Sequence, residues 1–318
     1  MQRLIGTTFK LELRHKKIWV AGHNGMLGSA LCRLFEGEVL TVNRNVVDLR
    51  CRNSVRDWVQ DNKPDVVFVA AAVVGGIRAN IEKPVEFLLQ NLQIQNNIIE
   101  AANDFGVQKL IFFGSACSYP KSAPQPINEL SFLGGPCEET NIWYATAKIA
   151  GIKLVQAYRK QSRMDGISIM PTNCYGPGDR FDENDSHVIP SLIKKIYTAK
   201  QRRQETVELW GTGKPLREFI YVDDLASASF FLAEKYSAAG LVNVGTGDEI
   251  SILNLAKKIA KIVGYEGKIL FDSKKPDGVA RKILDSSMLK SMGWRATTSL
   301  DEGLRVTYDW AVRSGCLE

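Results

Sequence analysis

A chain of 318 residues, 45% apolar and 24% charged, can bury a large core and divide into two lobes, a balance that excludes a disordered or low-complexity polymer. Its 41 basic and 35 acidic side chains leave a net charge of +6 that is gathered into no basic block, which argues against a nucleic-acid-binding arm and suits an anionic small ligand or a merely solvated surface equally. Cys32, Cys51, Cys117, Cys137, Cys174 and Cys316 lie far apart with no C-x-x-C pair and no histidine cluster, so no metal is expected and a reducing cytoplasm is.

Residues 1–15 are expected to be a short N-terminal extension of no evident role, since Arg3, Lys10, Glu12 and Arg14 interrupt any signal-like apolar stretch. The longest apolar run, Val66 to Ile77, is too short to cross a bilayer and is broken at Gly75-Gly76, so no membrane partner is expected. Lys17 to Ala21 reads as a buried strand running into Gly22-His23-Asn24-Gly25-Met26-Leu27-Gly28 and then a helix from about Leu27 to Phe35. Glycines between a strand and a helix let backbone N–H groups approach a pyrophosphate at the helix N-terminus. The second strand, Glu38 to Val42, ends in Asn43-Arg44 where a carboxylate would hold a ribose 2′-hydroxyl. Arg44 favours the 2′-phosphate of NADP(H), or else faces solvent, and Asp48-Leu49 follow where a carboxylate can reach an adenine edge.

A polar helix from about Val55 to Gln60 leads to the all-apolar strand Val66 to Ala70, which suggests burial on both faces of a parallel sheet. Ala71 to Gly76 supply small residues against which a cofactor can lie. A helix from about Val85 to Asn103, a strand Lys109 to Phe113 and a Pro- and Gly-rich loop from Tyr119 to Trp143 follow. Tyr144 and Lys148, one helical turn apart, point the same way, so an ammonium can sit beneath a phenol and favour its ionised form, with Ser115 as the candidate hydroxyl donor. Taken alone, that spacing is also what chance gives on any helix.

Beyond this helix, Ile167 to Met170 forms another strand, and Pro171 to Gly178 turns the chain out of the sheet. A helix Val188 to Ala199, a strand Val207 to Trp210, a return strand Arg217 to Val222, a helix capped by Asp223-Asp224 and a strand Leu241 to Val244 come next. A helix Leu253 to Val263, a strand Ile269 to Phe271, the turn Lys275-Pro276-Asp277-Gly278 and a last helix Asp301 to Arg313 complete the chain. The alternation specifies an α/β fold, a Rossmann-type doubly wound parallel sheet with a smaller mixed α/β substrate domain.

Gly22 to Gly28, Ser115 and Tyr144 with Lys148 together resemble the extended short-chain dehydrogenase/reductases. Gly114-Ser-Ala-Cys-Ser-Tyr-Pro-Lys121, Ile149-Ala-Gly-Ile-Lys153, Met170 to Pro177, Ser186-His-Val-Ile-Pro190, Trp210-Gly-Thr-Gly213, Arg217-Glu-Phe219 and Lys275 to Gly278 narrow the resemblance. They point to the members that epimerise and reduce GDP-linked 4-keto-6-deoxyhexoses. The resemblance covers about residues 16 to 313.

It implies an NADP(H) lobe at 16–170, to which 218–244 return, and a nucleotide-sugar lobe made of 171–217 and 245–318. It implies inversion at carbons 3 and 5 by Cys117 as base and His187 as acid, then reduction at carbon 4 with Tyr144 as proton donor. Phe113, Gly114, Ser115, Ala116, Lys148, Pro171, Thr172, Asn173, Cys174 and His187 would flank the cofactor. Lys195, Trp210, Arg217 and Asp277 would contact the GDP-sugar, in a homodimer formed through two long helices.

Against the family pattern, Asn24 and Lys195 stand where an Arg is common, Ile142-Trp143 replace Glu-Pro, and Ala280 replaces Pro. A carbon-4 reductase of a related GDP-linked deoxyheptose or dideoxyhexose is the competing reading. A dehydratase would want an acidic pair where Ala116 and Cys117 stand, and a sensor of NADP(H) without catalysis would have no use for an intact Ser115, Tyr144 and Lys148.

Overall fold

In the computed structural model the described residues are 11–182, 186–275 and 277–318. Residues 1–10 of the expected extension and Pro276 of the expected turn lie outside them. Residues 11–15 are not idle: Leu13 is buried, and the backbone amides of Leu11 and Leu13 donate to the carbonyl and the carboxylate of Glu234.

Ile18–Ala21 carries no charged side chain and is buried on both faces as β1. The chain passes through Gly25, the N-cap, into α1 (Met26–Leu34) and returns as β2 (Val39–Leu40). β2 is shorter than the sequence suggests because it is the sheet edge, with only Ile18 and Trp19 to pair against. α2 (Arg52–Asn62) overruns its expected ends because Arg52 and Arg56 reach across to Glu100 and Asp104. β3 (Val66–Val69) is followed by α3 (Ile77–Glu82), a helix that the small residues around Gly75-Gly76 did not announce. The expected helix from 85 begins with a π-helical turn, Glu86–Gln90, before α4 (Asn91–Asp104). β4 (Lys109–Phe113), α5 (Ile142–Ser162) and β5 (Gly166–Pro171) follow.

The chain then leaves the large sheet, as expected, but forms a short strand β6 (Asn173–Tyr175) on the way to α6 (Val188–Gln201) and β7 (Thr206–Trp210). The return strand β8 (Leu216–Tyr221) stays in the smaller lobe, paired with β6. Only α7 (Val222–Lys235) and β9 (Leu241–Val244) rejoin the large one. α7 is capped at Tyr221, so Asp223 and Asp224 occupy its first turn instead of its cap. There Asp223 pairs with Arg33, and Asp224 accepts the amides of Thr297 and Thr298. β10 (Glu249–Ser251), α8 (Ile252–Val263), β11 (Lys268–Asp272), β12 (Arg281–Lys282), α9 (Ser287–Ser291) and α10 (Leu300–Arg313) finish the smaller lobe.

The large sheet runs β2-β1-β3-β4-β5-β9 with every pairing parallel. One face packs Trp19, Val67, Leu110 and Phe112 on Ile98, Ile99 and Val155, and the other packs Val20, Phe68, Ile111 and Ile169 on Leu31, Leu225 and Leu232. Burial of this kind is worth about 25 cal/mol per Å2 of apolar surface, which is why all-apolar runs end up between two helix layers. In the smaller lobe β8 lies between β10 and β12, β7 pairs with β11, and Leu192, Ile196, Leu209, Leu255 and Ile259 form a separate core.

The seam between the lobes is fastened by Glu218, which is fully buried. Its carboxylate accepts the amides of Gly247 at 2.8 Å and Leu284 at 2.9 Å, while its carbonyl accepts Thr172 at 3.2 Å and Asn173 at 2.8 Å. Among the described residues no helix is long and apolar enough to cross a membrane, and no cluster of His, Cys, Asp and Glu could hold a metal ion.

Candidate active site

The order of the large sheet reverses between β1 and β3, and ligands of open parallel sheets lie beyond the carboxyl ends of the strands at such a point. Gly22, leaving β1, has φ +94°, and a Cβ there would stand 2.6 Å from the nitrogen of Ala71 beyond β3. A Cβ on Gly28 would stand 2.1 Å from the carbonyl oxygen of Gly22, whereas one on Gly25 would meet nothing closer than 3.5 Å. The loop is thus packed tightly inward and open outward. The first-turn amides of α1 lie on the open side, and that backbone fits a pyrophosphate.

His23, Met26 and Leu27 are half-buried in the same loop. Asn24 has a use of its own: its amide donates to Asn43 at 3.0 Å and steadies the turn that presents the exposed Arg44. The carboxylate of Asp48, expected near an adenine edge, is already engaged. Arg50 holds it, Nε to Oδ1 at 3.0 Å, and keeps its pKa down to about 2. The carbonyl of Leu49 takes the amide of Asn97 at 2.9 Å. Beyond β3, Asn91 donates to the carbonyl of Val73 at 3.0 Å and accepts its amide at 2.8 Å, which fixes the segment of small residues.

β4 ends at Phe113, whose carbonyl receives Lys148 Nζ at 2.9 Å. The chain crosses Gly114 to Ser115, which caps a short 3-10 turn over Ala116–Ser118 by accepting the amide of Cys117 at 3.2 Å. That turn is why a sulfur follows a hydroxyl two residues later on one edge of the sheet. Lys148 is buried, 4.9 Å from the Phe112 ring and 5.8 Å from the Tyr144 ring, and burial pulls its pKa down to about 8.

The expectation that Lys148 would favour an ionised Tyr144 fails on this balance. Burial, reinforced by the nearby Cys117, raises the phenol pKa above its ordinary value, and the hydrogen bond with Ser115 opposes the rise without reversing it. Burial thus favours the neutral phenol of Tyr144, which is placed by α5 and by an edge contact with Phe87 at 6.5 Å from the π-helical turn.

The sulfur of Cys117 has two neighbours the sequence reading missed. Asn141 Nδ2 donates to it at 3.3 Å and Lys282 Nζ at 3.8 Å. An amide and an ammonium thus converge on one sulfur. Lys282→Met should therefore slow alkylation of Cys117 by iodoacetamide at neutral pH by roughly threefold to tenfold, followed by peptide mass spectrometry. An unchanged rate would remove Lys282 from the account.

His187 precedes α6 as its N-cap, with Nδ1 3.5 Å from Asp179 Oδ1. Asp179 and Arg180 line a cleft of about 800 Å3 whose other wall is Arg78, Ala79, Glu82 and Lys83 of α3. α3 in turn packs on the 3-10 turn Glu139–Asn141 that supplies Asn141 to Cys117. Asp179, against which His187 leans, thus lies on one wall of this cleft, and α3, which packs on the turn carrying Asn141, forms the other. Pro171 and Cys174 bracket Thr172 and Asn173, whose polar side chains are turned to Glu218, which leaves the backbone of this stretch to border a cofactor.

Lys195, Trp210, Arg217 and Asp277 meet in the smaller lobe. Lys195 Nζ is 5.3 Å from the centre of the exposed Trp210 ring. Asp277 accepts the amide of Thr212 at 2.8 Å and its hydroxyl at 2.6 Å, so it braces the turn after β7. Burial lowers the pKa of Arg217, against the pull of Asp277. Lys275, 5.4 Å from the same Trp210 ring, was not foreseen as a member of this group.

The model of the NAD dependent epimerase/dehydratase family matches residues 18–245. A GDP-L-fucose synthase of Sinorhizobium fredii (strain NBRC 101917 / NGR234) is 50% identical over 297 residues, which cover 92% of this chain and 95% of the relative. Among solved structures, a GDP-L-fucose synthetase from Naegleria fowleri bound to NADP superposes with a TM-score of 0.89 at 26% identity, covering 97% of this chain and 98% of that one. A GDP-6-OMe-4-keto-L-xylo-heptose reductase from C. jejuni gives a TM-score of 0.88 at 29% identity, covering 96% and 99%.

Proposed function

Since the chain belongs to the NAD dependent epimerase/dehydratase family, and within it to the GDP-L-fucose synthases, we propose that it converts GDP-4-dehydro-6-deoxy-D-mannose to GDP-L-fucose. It epimerises carbons 3 and 5 and then reduces carbon 4. The ketone acidifies the hydrogens on both neighbouring carbons, so inversion needs a base on one face and an acid on the other. Cys117, with Asn141 and Lys282 on its sulfur, removes those protons as the base. His187, with Asp179 on Nδ1, returns protons to the other face of the sugar through Nε2. Tyr144 steadies the enolate oxygen through both inversions and finally gives its proton to that oxygen. Bound NADPH supplies the hydride to carbon 4.

Gly22 to Gly28 would hold the pyrophosphate and Arg44 the 2′-phosphate. Arg44→Ala should weaken NADPH binding by about tenfold, the worth of one charge-assisted contact, and leave NADH within a factor of two by fluorescence titration. Equal losses for both would dismiss Arg44 as the selector.

The observation that carries the bifunctional reading is the sulfur of Cys117 with two donors on it, beside Ser115 and Tyr144; a plain reductase has no use for a thiol placed there. Incubation with the keto-sugar and NADPH in deuterium oxide, followed by proton NMR, tests it. GDP-L-fucose carrying deuterium at carbons 3 and 5 is expected. A reduced product without deuterium at carbon 3 would instead mark a carbon-4 reductase, and an unconsumed keto-sugar would end the sugar assignment.

The large sheet is assigned to the cofactor and the smaller lobe to the GDP-sugar. Exposed Val85 and Leu89 beside α4, with Trp143 on α5, support a homodimer through these helices, which sedimentation at micromolar concentration would refute by finding a monomer. Six free cysteines, among them the exposed Cys51, favour a reducing cytoplasm.

A further inference from the structure

Trp210 closes β7 with its indole 64% exposed, an unusual place for the largest apolar side chain unless something covers it. Two ammonium groups already approach it, Lys195 Nζ from α6 at 5.3 Å and Lys275 Nζ from the turn after β11 at 5.4 Å. Both charges are thus gathered at one ring. Among the described residues, neither is joined to a carboxylate in an ion pair.

The turn carrying Lys275 is held firmly. Its amide donates to the carbonyl of Asp272 at 3.1 Å, and the amide of Gly211 donates to the same carbonyl at 3.0 Å. Gly211 has φ +83°, and a Cβ there would stand 2.2 Å from Asp277 Oδ1, so the Trp210 turn and the 272–278 turn are pressed together. Asp277 in turn lies near the half-buried Arg217. Two ammonium groups from two elements therefore face one exposed indole, and the carboxylate of Asp277 in the adjoining turn is occupied by Thr212.

We propose that Lys275 is a further substrate-binding residue. With Lys195 it forms a two-ammonium clamp across Trp210 that recognises the diphosphate of the nucleotide sugar and discriminates it from a monophosphate. Attraction to the ring accounts for one ammonium, whereas a second at the same exposed ring adds like charge that a diphosphate would offset. A diphosphate delivers enough negative charge for both ammonium groups. A monophosphate reaches one of them.

The inference rests on the GDP-sugar reading above, and calorimetric titration of the full chain with GDP, GMP and guanosine separates the two. Wild-type protein should bind GDP, and Lys275→Ala should weaken GDP about tenfold while leaving GMP and NADP+ within twofold. Lys275→Arg should recover most of the loss. A GDP affinity unchanged within twofold in Lys275→Ala, or equal losses for GDP and guanosine, overturns the clamp alone. Absence of GDP binding by the wild-type protein overturns both the clamp and the reading beneath it. The slope of GDP affinity against salt gives an independent check. It should be shallower in Lys275→Ala, and an unchanged slope counts against the clamp.

Discussion

Cys117→Ser should lower the incorporation of solvent deuterium at sugar carbons 3 and 5 by about three orders of magnitude, the scale of a removed general base. The substitution keeps the size of the side chain and its place after Ser115, where the 3-10 turn Ala116–Ser118 fixes it. What it takes away is the sulfur. A hydroxyl is a far weaker acid than a thiol, so Asn141 and Lys282 would hold a group that cannot serve as the base near neutral pH. Binding of NADPH should change by less than a factor of two, since the glycine loop and Arg44 are on other elements. NMR of recovered keto-sugar after incubation in deuterium oxide measures the exchange directly. Wild-type exchange in the variant would strip Cys117 of its role, and loss at only one of the two carbons would assign it to that carbon.

Tyr144→Phe should reduce the rate of carbon-4 reduction by about two to four orders of magnitude, because the oxygen at carbon 4 then has no proton donor. The pH dependence carries more information than the size of the loss. Burial keeps the Tyr144 phenol protonated across the working range, whereas it lowers Lys148 to about 8. The ammonium is present below that pH and lost above it, so kcat/KM for reduction, which reports the free protein, should fall as pH rises through about 8. The alkaline limb should vanish in Lys148→Met, where activity is low at every pH. A wild-type profile flat from pH 6 to 10 would mean that the charge on Lys148 does not matter to the step.

How much of this was legible in the sequence depends on the range of the contact involved. Ile18–Ala21, Val66–Val69 and Lys109–Phe113 read as strands because burial on both faces demands apolar runs, and Gly22 to Gly28 read as a cradle because only glycine tolerates those approaches. Tyr144 and Lys148 were legible as a pair because helical spacing is a local property. The sign of their interaction was not. Whether the ammonium or the surrounding apolar packing governs the phenol depends on Phe87 and Phe112, which come from other elements.

The same limit hid Lys282 from Cys117, Asp179 from His187 and Lys275 from Trp210, since each pair joins segments with no shared periodicity. Short polar strands escaped for a related reason. Glu249–Ser251 and Arg281–Lys282 alternate too briefly to announce themselves, and each is a strand because β8 offers it an edge. The departures from the family pattern fared unevenly. Asn24 turned out to anchor Asn43, while nothing in the structure explains Ala280.

The buried carboxylate of Glu218 leaves the two lobes few ways to move. It receives amides from Gly247, just past the last strand of the large sheet, and from Leu284, two residues beyond the strand that carries Lys282. The carbonyl of the same residue takes Thr172 and Asn173 at the cofactor side. Sliding one lobe over the other would strand a charge in the interior, whereas swinging about that point keeps all four bonds. A swing of one lobe against the other would thus hinge at Glu218, with Arg217 beside it in the chain and Lys282 two residues from Leu284.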